Sequence, residues 1–111
     1  MTFERFDVVI VPFPFSDRHA AKRRPALVVS DQGFNRTHGH VILAMITTAR
    51  DSSWPSDTEI INGGAAGLKA RSVVRLKLFT LDKDLLARRI GALAEEDRTK
   101  VARVLRITFT S

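Results

Sequence analysis

The sequence predicts a mainly β fold, a small barrel capped by a helix. Two patterns point there: several β-branched runs separated by short polar turns, and one amphipathic stretch near the C-terminus. Residues 7–15 (Asp-Val-Val-Ile-Val-Pro-Phe-Pro-Phe) read as a strand whose far end Pro12 and Pro14 demote to an edge or an exit. Residues 16–24 form a polar, basic loop. Residues 25–30 are almost continuously apolar and predict a central strand, with Pro25 at its first position, where a missing N–H is tolerated. A short helical turn and loop over 31–40 lead to a buried strand over 41–48. Residues 50–57 (Arg-Asp-Ser-Ser-Trp-Pro-Ser-Asp) are a loop by composition, 58–61 a short strand, and Asn62-Gly63-Gly64 a tight turn. Over 72–79 apolar and basic residues alternate, so Val73, Arg75 and Lys77 leave one face and Val74, Leu76 and Leu78 the other. Asp82 caps a short helix through Arg88, and 90–93 make a last strand. From Glu95 to Arg106, Val101, Ala102, Val104, Leu105 and Thr108 share a helical stripe, with acids in the first turn where the helix dipole favours them.

The chain has 111 residues, which suits one domain over 1–111 and leaves no room for a second core. A hydrophobic share of 44% with 27% charged residues is that of a folded chain. With no Cys, a disulfide scaffold, a thiolate zinc site and a thiol nucleophile are excluded. No apolar run approaches the ~20 residues that span a bilayer. The opening Met1-Thr2-Phe3-Glu4-Arg5 lacks the pattern of a secretory signal, so the cytoplasm is the expected compartment. Lys and Arg number 18 against 12 Asp and Glu, a net charge of +6. The charge is clustered: residues 18–24 carry Arg18, Lys22, Arg23 and Arg24 without an acid. Residues 60–81 carry Lys69, Arg71, Arg75 and Lys77, again without one. Nucleic acid is therefore the first partner class to consider, with a solvated basic surface as the alternative.

Arg75 and Lys77, on one face of a strand, repel each other in a core but cradle phosphate oxygens on an exterior; the other reading is a basic edge that discourages aggregation. Thr47 and Thr48 end the most hydrophobic strand, where a hydroxyl serves either a phosphate oxygen or a strand-end carbonyl. Arg24, stiffened by Pro25, presents a planar fork suited to phosphate or to an internal ion pair. His19, in the basic loop, is a candidate proton shuttle. His19, His38 and His40 have no metal-ligand spacing, and no metal or cofactor is expected. Trp54 is a base-stacking platform or a loop anchor, and Phe13 and Phe15 divide between core and surface.

In order along the chain, these segments resemble the PemK/MazF family of toxins from toxin–antitoxin pairs. Asp7 to Asp17 resembles the family's opening strand, Lys22-Arg23-Arg24-Pro25-Ala26-Leu27-Val28-Val29-Ser30 its most recognisable segment, and Phe34-Asn35-Arg36 its short helix. Ile46-Thr47-Thr48 is similar to its Ile-Thr-Ser strand end. Gly67-Leu68, Ser72-Val73-Val74-Arg75, Thr80-Leu81-Asp82-Lys83 and Ile90-Gly91-Ala92-Leu93 follow in the family's order. The resemblance implies an SH3-like barrel with a C-terminal helix, a homodimer, and an antitoxin partner with a flexible acidic segment. The implied activity is metal-independent endoribonuclease cleavage of single-stranded mRNA, in which the 2′-OH attacks phosphorus to leave a 2′,3′-cyclic phosphate and a 5′-OH. Arg24 and Thr47 would then bind and polarise the phosphate, and Arg75 would stabilise the transition state and supply the leaving-group proton. Lys22, Arg23, Thr48, Phe15, Trp54, Lys69 and Arg71 would contact the RNA.

Two departures stand out. The family's opening Gly-Asp is Phe6-Asp7 here. The acid that many members carry two residues past the position of Arg75 is Lys77, and the path from Arg75 to Thr80 is shorter by one residue. A protonated Lys cannot accept a proton, so Lys77 serves as a base only with a large downward pKa shift, and His19 is the second candidate. A different class also fits the barrel: a non-catalytic nucleic-acid-binding module or a gyrase poison of the CcdB kind, without efficient RNA cleavage.

Overall fold

Val8 and Val9 are neighbours in the chain yet belong to different cores, because successive side chains of a strand leave opposite faces. In the computed structural model the residues described are 2–12 and 22–110. The strands are β1 (Asp7–Pro12), β2 (Arg23–Val28), β3 (His40–Thr48), β4 (Thr58–Ile60), β5 (Ser72–Asp82) and β6 (Arg88–Ala92). Helix α1 (Gln32–His38) joins β2 to β3, α2 (Glu95–Phe109) follows β6, and 3-10 turns lie at Ala49–Asp51 and Lys83–Leu85. The strands form one antiparallel sheet in the order β4-β5-β3-β2-β1-β6, a half-barrel with β4 and β6 as its edges.

Each face has its own core. Val8, Leu27, Ala44, Ile46 and Val74 pack with Val101 of α2 on one side. Phe3, Val9, Val11, Ala26, Val28, Val41 and Leu43 pack with Leu86 on the other. A sheet covered on both faces explains why β1 to β3 read as near-continuous apolar runs. The expected mainly β fold with a C-terminal helix is the one observed. β1 is described to Pro12, and the predicted continuation through Phe13 and Phe15 lies outside the described residues, as does His19. β2 begins at Arg23, two residues before Pro25. It pairs with β3 only from Ala26, so Pro25 lies where a single neighbour is bonded, as on an edge strand. β5 outruns the predicted 72–79 because Thr80, Leu81 and Asp82 pair with Ile42, Val41 and His40.

The β3–β5 ladder has an offset that matters for the site. Met45 faces Arg75 while Ala44 faces Leu78, so Leu76 and Lys77 have no residue opposite. An offset of two preserves the alternation of faces on either side, which a single-residue slip would invert. The turn over 62–67 is fixed from within and from below. Asn62 Oδ1 accepts from the Ala65 N–H at 3.0 Å, and Gly67 has φ +73 with its Cα against β6, where a Cβ would lie 2.2 Å from the Ile90 carbonyl oxygen.

Asp97, fully buried at the start of α2, accepts from the Ile61 N–H at 3.0 Å and the Asn62 N–H at 2.9 Å, and its carboxylate lies 3.4 Å from Lys100 Nζ. Burial alone would raise its pKa. The Asn62 and Ile61 N–H groups and Lys100 outweigh that and hold it low. This carboxylate ties α2 to the end of β4. Asp97→Ala strands two N–H groups, and urea unfolding should show a loss of about 2–4 kcal/mol; a change under about 0.5 kcal/mol would mean that water replaces the tie.

Candidate functional site

The polar site begins where rows of core residues run out along the strands. Ala26 on β2 faces Met45 on β3; two residues further along each strand, the same rows end in Arg24 and Thr47. Arg24, Thr47, Thr48, Asp51 and Lys69 line one hollow of about 260 Å³, floored by Ile46, Pro25 and Leu68. Strand rigidity fixes Arg24 and Thr47, whereas Lys69 comes from the loop before β5 and Asp51 from the 3-10 turn after β3. The Thr48 hydroxyl donates to Asp51 Oδ2 at 2.9 Å. A neighbouring open hollow is lined by Thr48, Ala49, Arg50, Ala70 and Arg71. The two share Thr48 and Ala70, so a strand of polyanion can pass from one to the other. Lys22 and Arg23 are exposed at the start of β2. Arg71 is exposed as well and gives its Nε to Glu59 at 3.0 Å, so part of its charge is already matched.

Arg75 is the largest departure from expectation. It shares a face with Met45 and Thr47, as the alternation predicts, but it is 9% exposed and does not line the hollow. Its guanidinium forks onto Asp57, with Nε at 3.1 Å from Oδ1 and Nη2 at 2.8 Å from Oδ2. Nη2 also donates to Ser53 Oγ at 3.1 Å and to the Asp51 carbonyl at 3.3 Å. Trp54 lies on the same guanidinium, its ring centroid 5.1 Å from Cζ. Asp57 Oδ2 further accepts from the Ser52 hydroxyl and from the Ser53 and Trp54 N–H groups, all within 3.1 Å. The Arg75 fork, more than any other contact, pulls the Asp57 carboxyl down to about 2 against its burial, and Asp57 in turn raises Arg75 above its ordinary value. Arg75 therefore braces the 51–57 loop from within.

Arg24, Thr47, Thr48 and Lys69 are thus brought together, whereas Trp54, 41% exposed, packs on Arg75 and does not line the hollow. Lys77 is not. It sits in the β5 offset, half-buried, away from the hollow. Sequence reading missed Asp51, Ser53 and Asp57. The Arg75–Asp57 pair spans 18 positions, and the only hint was a Ser- and Asp-rich loop that could fold back on a basic strand. A larger hollow of about 530 Å³ between the sheet and α2 is of another kind: Phe6, Val29, Leu78, Leu105 and Phe109 line it, with Arg5 and Arg106 at its mouth. Its lining is predominantly apolar, and two of its polar residues, Arg5 and Ser30, are already bonded to the Val29 carbonyl and to Asn35. Among the described residues, no group of three His, Asp or Glu side chains is arranged to hold a metal ion, and no helix is long and apolar enough to cross a membrane.

Solved structures share this architecture. A MazE–MazF complex from Deinococcus radiodurans superposes with a TM-score of 0.75 at 18% identity, covering 100% of this chain and 99% of that one. The Mycobacterium tuberculosis toxin MazF-mt6 gives 0.71 at 24% identity, over 93% and 95% of the two chains. An endoribonuclease in complex with its cognate antitoxin, from a mycobacterial species, gives 0.71 at 21% identity, over 96% and 91%. At these identities the likeness is one of fold. No curated protein matches the sequence. A family model does, over residues 4–109, that of the PemK-like, MazF-like toxins of type II toxin–antitoxin systems. With the match running from before β1 to the last turn of α2, the chain belongs to the PemK/MazF-like toxin family.

Proposed function

We infer that the protein is an endoribonuclease toxin that cuts single-stranded RNA at the hollow between β2 and β3. The observation that carries this reading is the convergence of Arg24, Lys69 and the Thr47 hydroxyl on one open concavity at the end of rigid strands. Such a cleft suits a single strand, whose phosphates, bases and 2′-hydroxyls are all reachable. Cleavage proceeds by attack of the neighbouring 2′ oxygen on phosphorus, giving a 2′,3′-cyclic phosphate and a 5′-OH. The pentacoordinate transition state gathers negative charge on the non-bridging oxygens. The Arg24 fork and the Thr47 hydroxyl meet that charge with donors, and Lys69 adds a third positive group at the rim. No step in this chemistry requires a metal.

Arg75 serves this site from behind. With its fork committed to Asp57 and its pKa raised, it is a poor proton donor and holds the loop in place instead. Asp57 is an equally poor base, since a carboxyl held near 2 keeps little affinity for a proton. Trp54, one face on Arg75 and partly exposed, offers the RNA a stacking surface. An antitoxin with an acidic segment would compete with RNA for the same cations. The apolar hollow under α2, with Ile107 and Phe109 64% and 65% exposed beside it, fits a second copy of the chain in a homodimer.

Two outcomes follow from this arrangement. Purified protein given single-stranded RNA in EDTA yields cyclic-phosphate ends, with Arg24→Ala slower by about 10²-fold or more and Thr47→Val by about 10- to 100-fold; magnesium-dependent cutting, or full activity in Arg24→Ala, overturns the assignment. RNA that is bound in a salt-sensitive way but stays intact would favour the non-catalytic binding module. For the brace, the Asp57 pKa is depressed from 3.8 to about 2 on folding, so its stabilisation is complete above about pH 4 and is lost as pH falls through 2. Urea unfolding should show a constant stability gap between the wild type and Asp57→Asn from pH 7 to 5, narrowing by roughly 2 kcal/mol toward pH 2.

A further inference from the structure

We propose that Asp51 is the general base, taking the proton from the attacking 2′-OH. This rests on the endoribonuclease reading above and supplies the carboxylate that position 77 lacks. Among the described residues, Asp51 is the one acid that lines the hollow with Arg24 and Thr47. It ends the 3-10 turn Ala49–Asp51, directly after the strand that carries Thr47. The turn is held at its start by the Ala49 N–H on the Arg71 carbonyl at 2.8 Å, and is closed by the Ser52 N–H on the Ala49 carbonyl at 3.1 Å. The Asp51 backbone is also gripped from below by Arg75 at 3.3 Å. Its carboxylate accepts from the Thr48 hydroxyl through Oδ2 at 2.9 Å, while 62% of the side chain remains exposed.

The arrangement has the logic of an oriented base. A neutral donor, Thr48, fixes one oxygen and leaves lone pairs on the carboxylate for a substrate hydroxyl. A phosphate held between Arg24 and Thr47 would lie in the hollow that Asp51 also lines. The charged groups facing the carboxylate are Arg50 on its own turn (Nε to Oδ1, 4.0 Å), Arg24 from β2, Lys69 from the loop before β5, and Arg75 beneath its carbonyl, with Asp57 on the far side of Arg75. In the reaction the 2′ proton passes to the Asp51 carboxylate and the 2′ oxygen bonds to phosphorus. The P–O5′ bond breaks with its electron pair, the departing oxygen takes a proton from water in the open groove, and Asp51 returns its proton to solvent.

The test compares wild type, Asp51→Asn and Asp51→Glu on single-stranded RNA in EDTA across pH 4–9. Binding is followed in parallel with the 2′-deoxy analogue of the same oligonucleotide. The expected result is a kcat lower by about 10²- to 10⁴-fold in Asp51→Asn. The acid limb of the wild-type pH profile should be gone, and affinity for the uncleavable analogue should stay within about threefold. Asp51→Glu, which keeps the carboxylate, should recover at least about tenfold of the loss. Asp51→Asn that cuts within about threefold of wild type with its acid limb intact overturns Asp51 as the base and leaves the endoribonuclease reading standing. Wild type that releases no cyclic-phosphate ends overturns both.

Discussion

A carboxylate with 2% of its side chain exposed faces a guanidinium with 11%, and the shape of the functional face depends on that contact. Water is largely excluded from the Arg75–Asp57 pair, so losing either partner leaves an uncompensated charge in a poorly solvated place. Asp57 Oδ2 also accepts from Ser52, Ser53 and Trp54, and Arg75 Nη2 also donates to Ser53 and to the Asp51 carbonyl. The 51–57 loop is therefore bound to β5 at several points, although no residue of it belongs to a strand. A loop that would otherwise sample many conformations becomes a fixed wall whose Asp51 end lines the hollow with Arg24 and Thr47, and its ordering entropy is met in folding.

The same contact divides the positive charge into two populations. Arg75, Arg89 and Lys100 are paired with the buried carboxylates of Asp57, Asp7 and Asp97, Arg75 itself nearly buried and the other two partly exposed. Lys22, Arg23, Arg24, Arg50 and Lys69 are exposed, and Arg24, Lys69 and Arg50 line the two adjoining hollows. Net charge says that the chain favours polyanions, but the partition of that charge decides where one would lie. The internal pairs also match the two-faced sheet: with both faces of β1 to β3 apolar, cations can only collect at strand ends and loops, where the groove is found.

Much of the fold is legible in the sequence because strand alternation and turn chemistry are local. The two faces of β5 and the Asp82 cap are short-range effects and lie where the pattern puts them, but Asp82 caps only the turn at Lys83–Leu85 and not a helix through Arg88, where β6 already begins. The missed boundaries have tertiary causes, since β2 starts early through its pairing with β1 and β5 ends late through its pairing with β3. Phe6 is instructive: its φ of +76 falls in the left-handed region, which explains why the family favours Gly there. The side chain packs against the core beside Val8, offsetting the strain. Arg24, Thr47 and Lys69, which the sequence offers as candidates through the family resemblance and the clustering of basic residues, line one hollow. Arg75 was legible as a member of the right face but not as an internal ion, because its partner lies on a loop whose path no local pattern dictates. Asp51 stayed hidden for the same reason.

The central claim is that a scissile phosphate lies against Arg24 and Thr47, on the β2–β3 end of the sheet rather than against α2. Amide and side-chain NMR shifts, recorded while a single-stranded 2′-deoxy oligonucleotide is added, test it most directly. The account predicts the largest perturbations at Arg24, Thr47, Thr48 and Lys69, fading along the 51–57 loop. Perturbations concentrated on the exposed Arg103 and Arg106 of α2, with Arg24 and Thr47 unmoved, would contradict it.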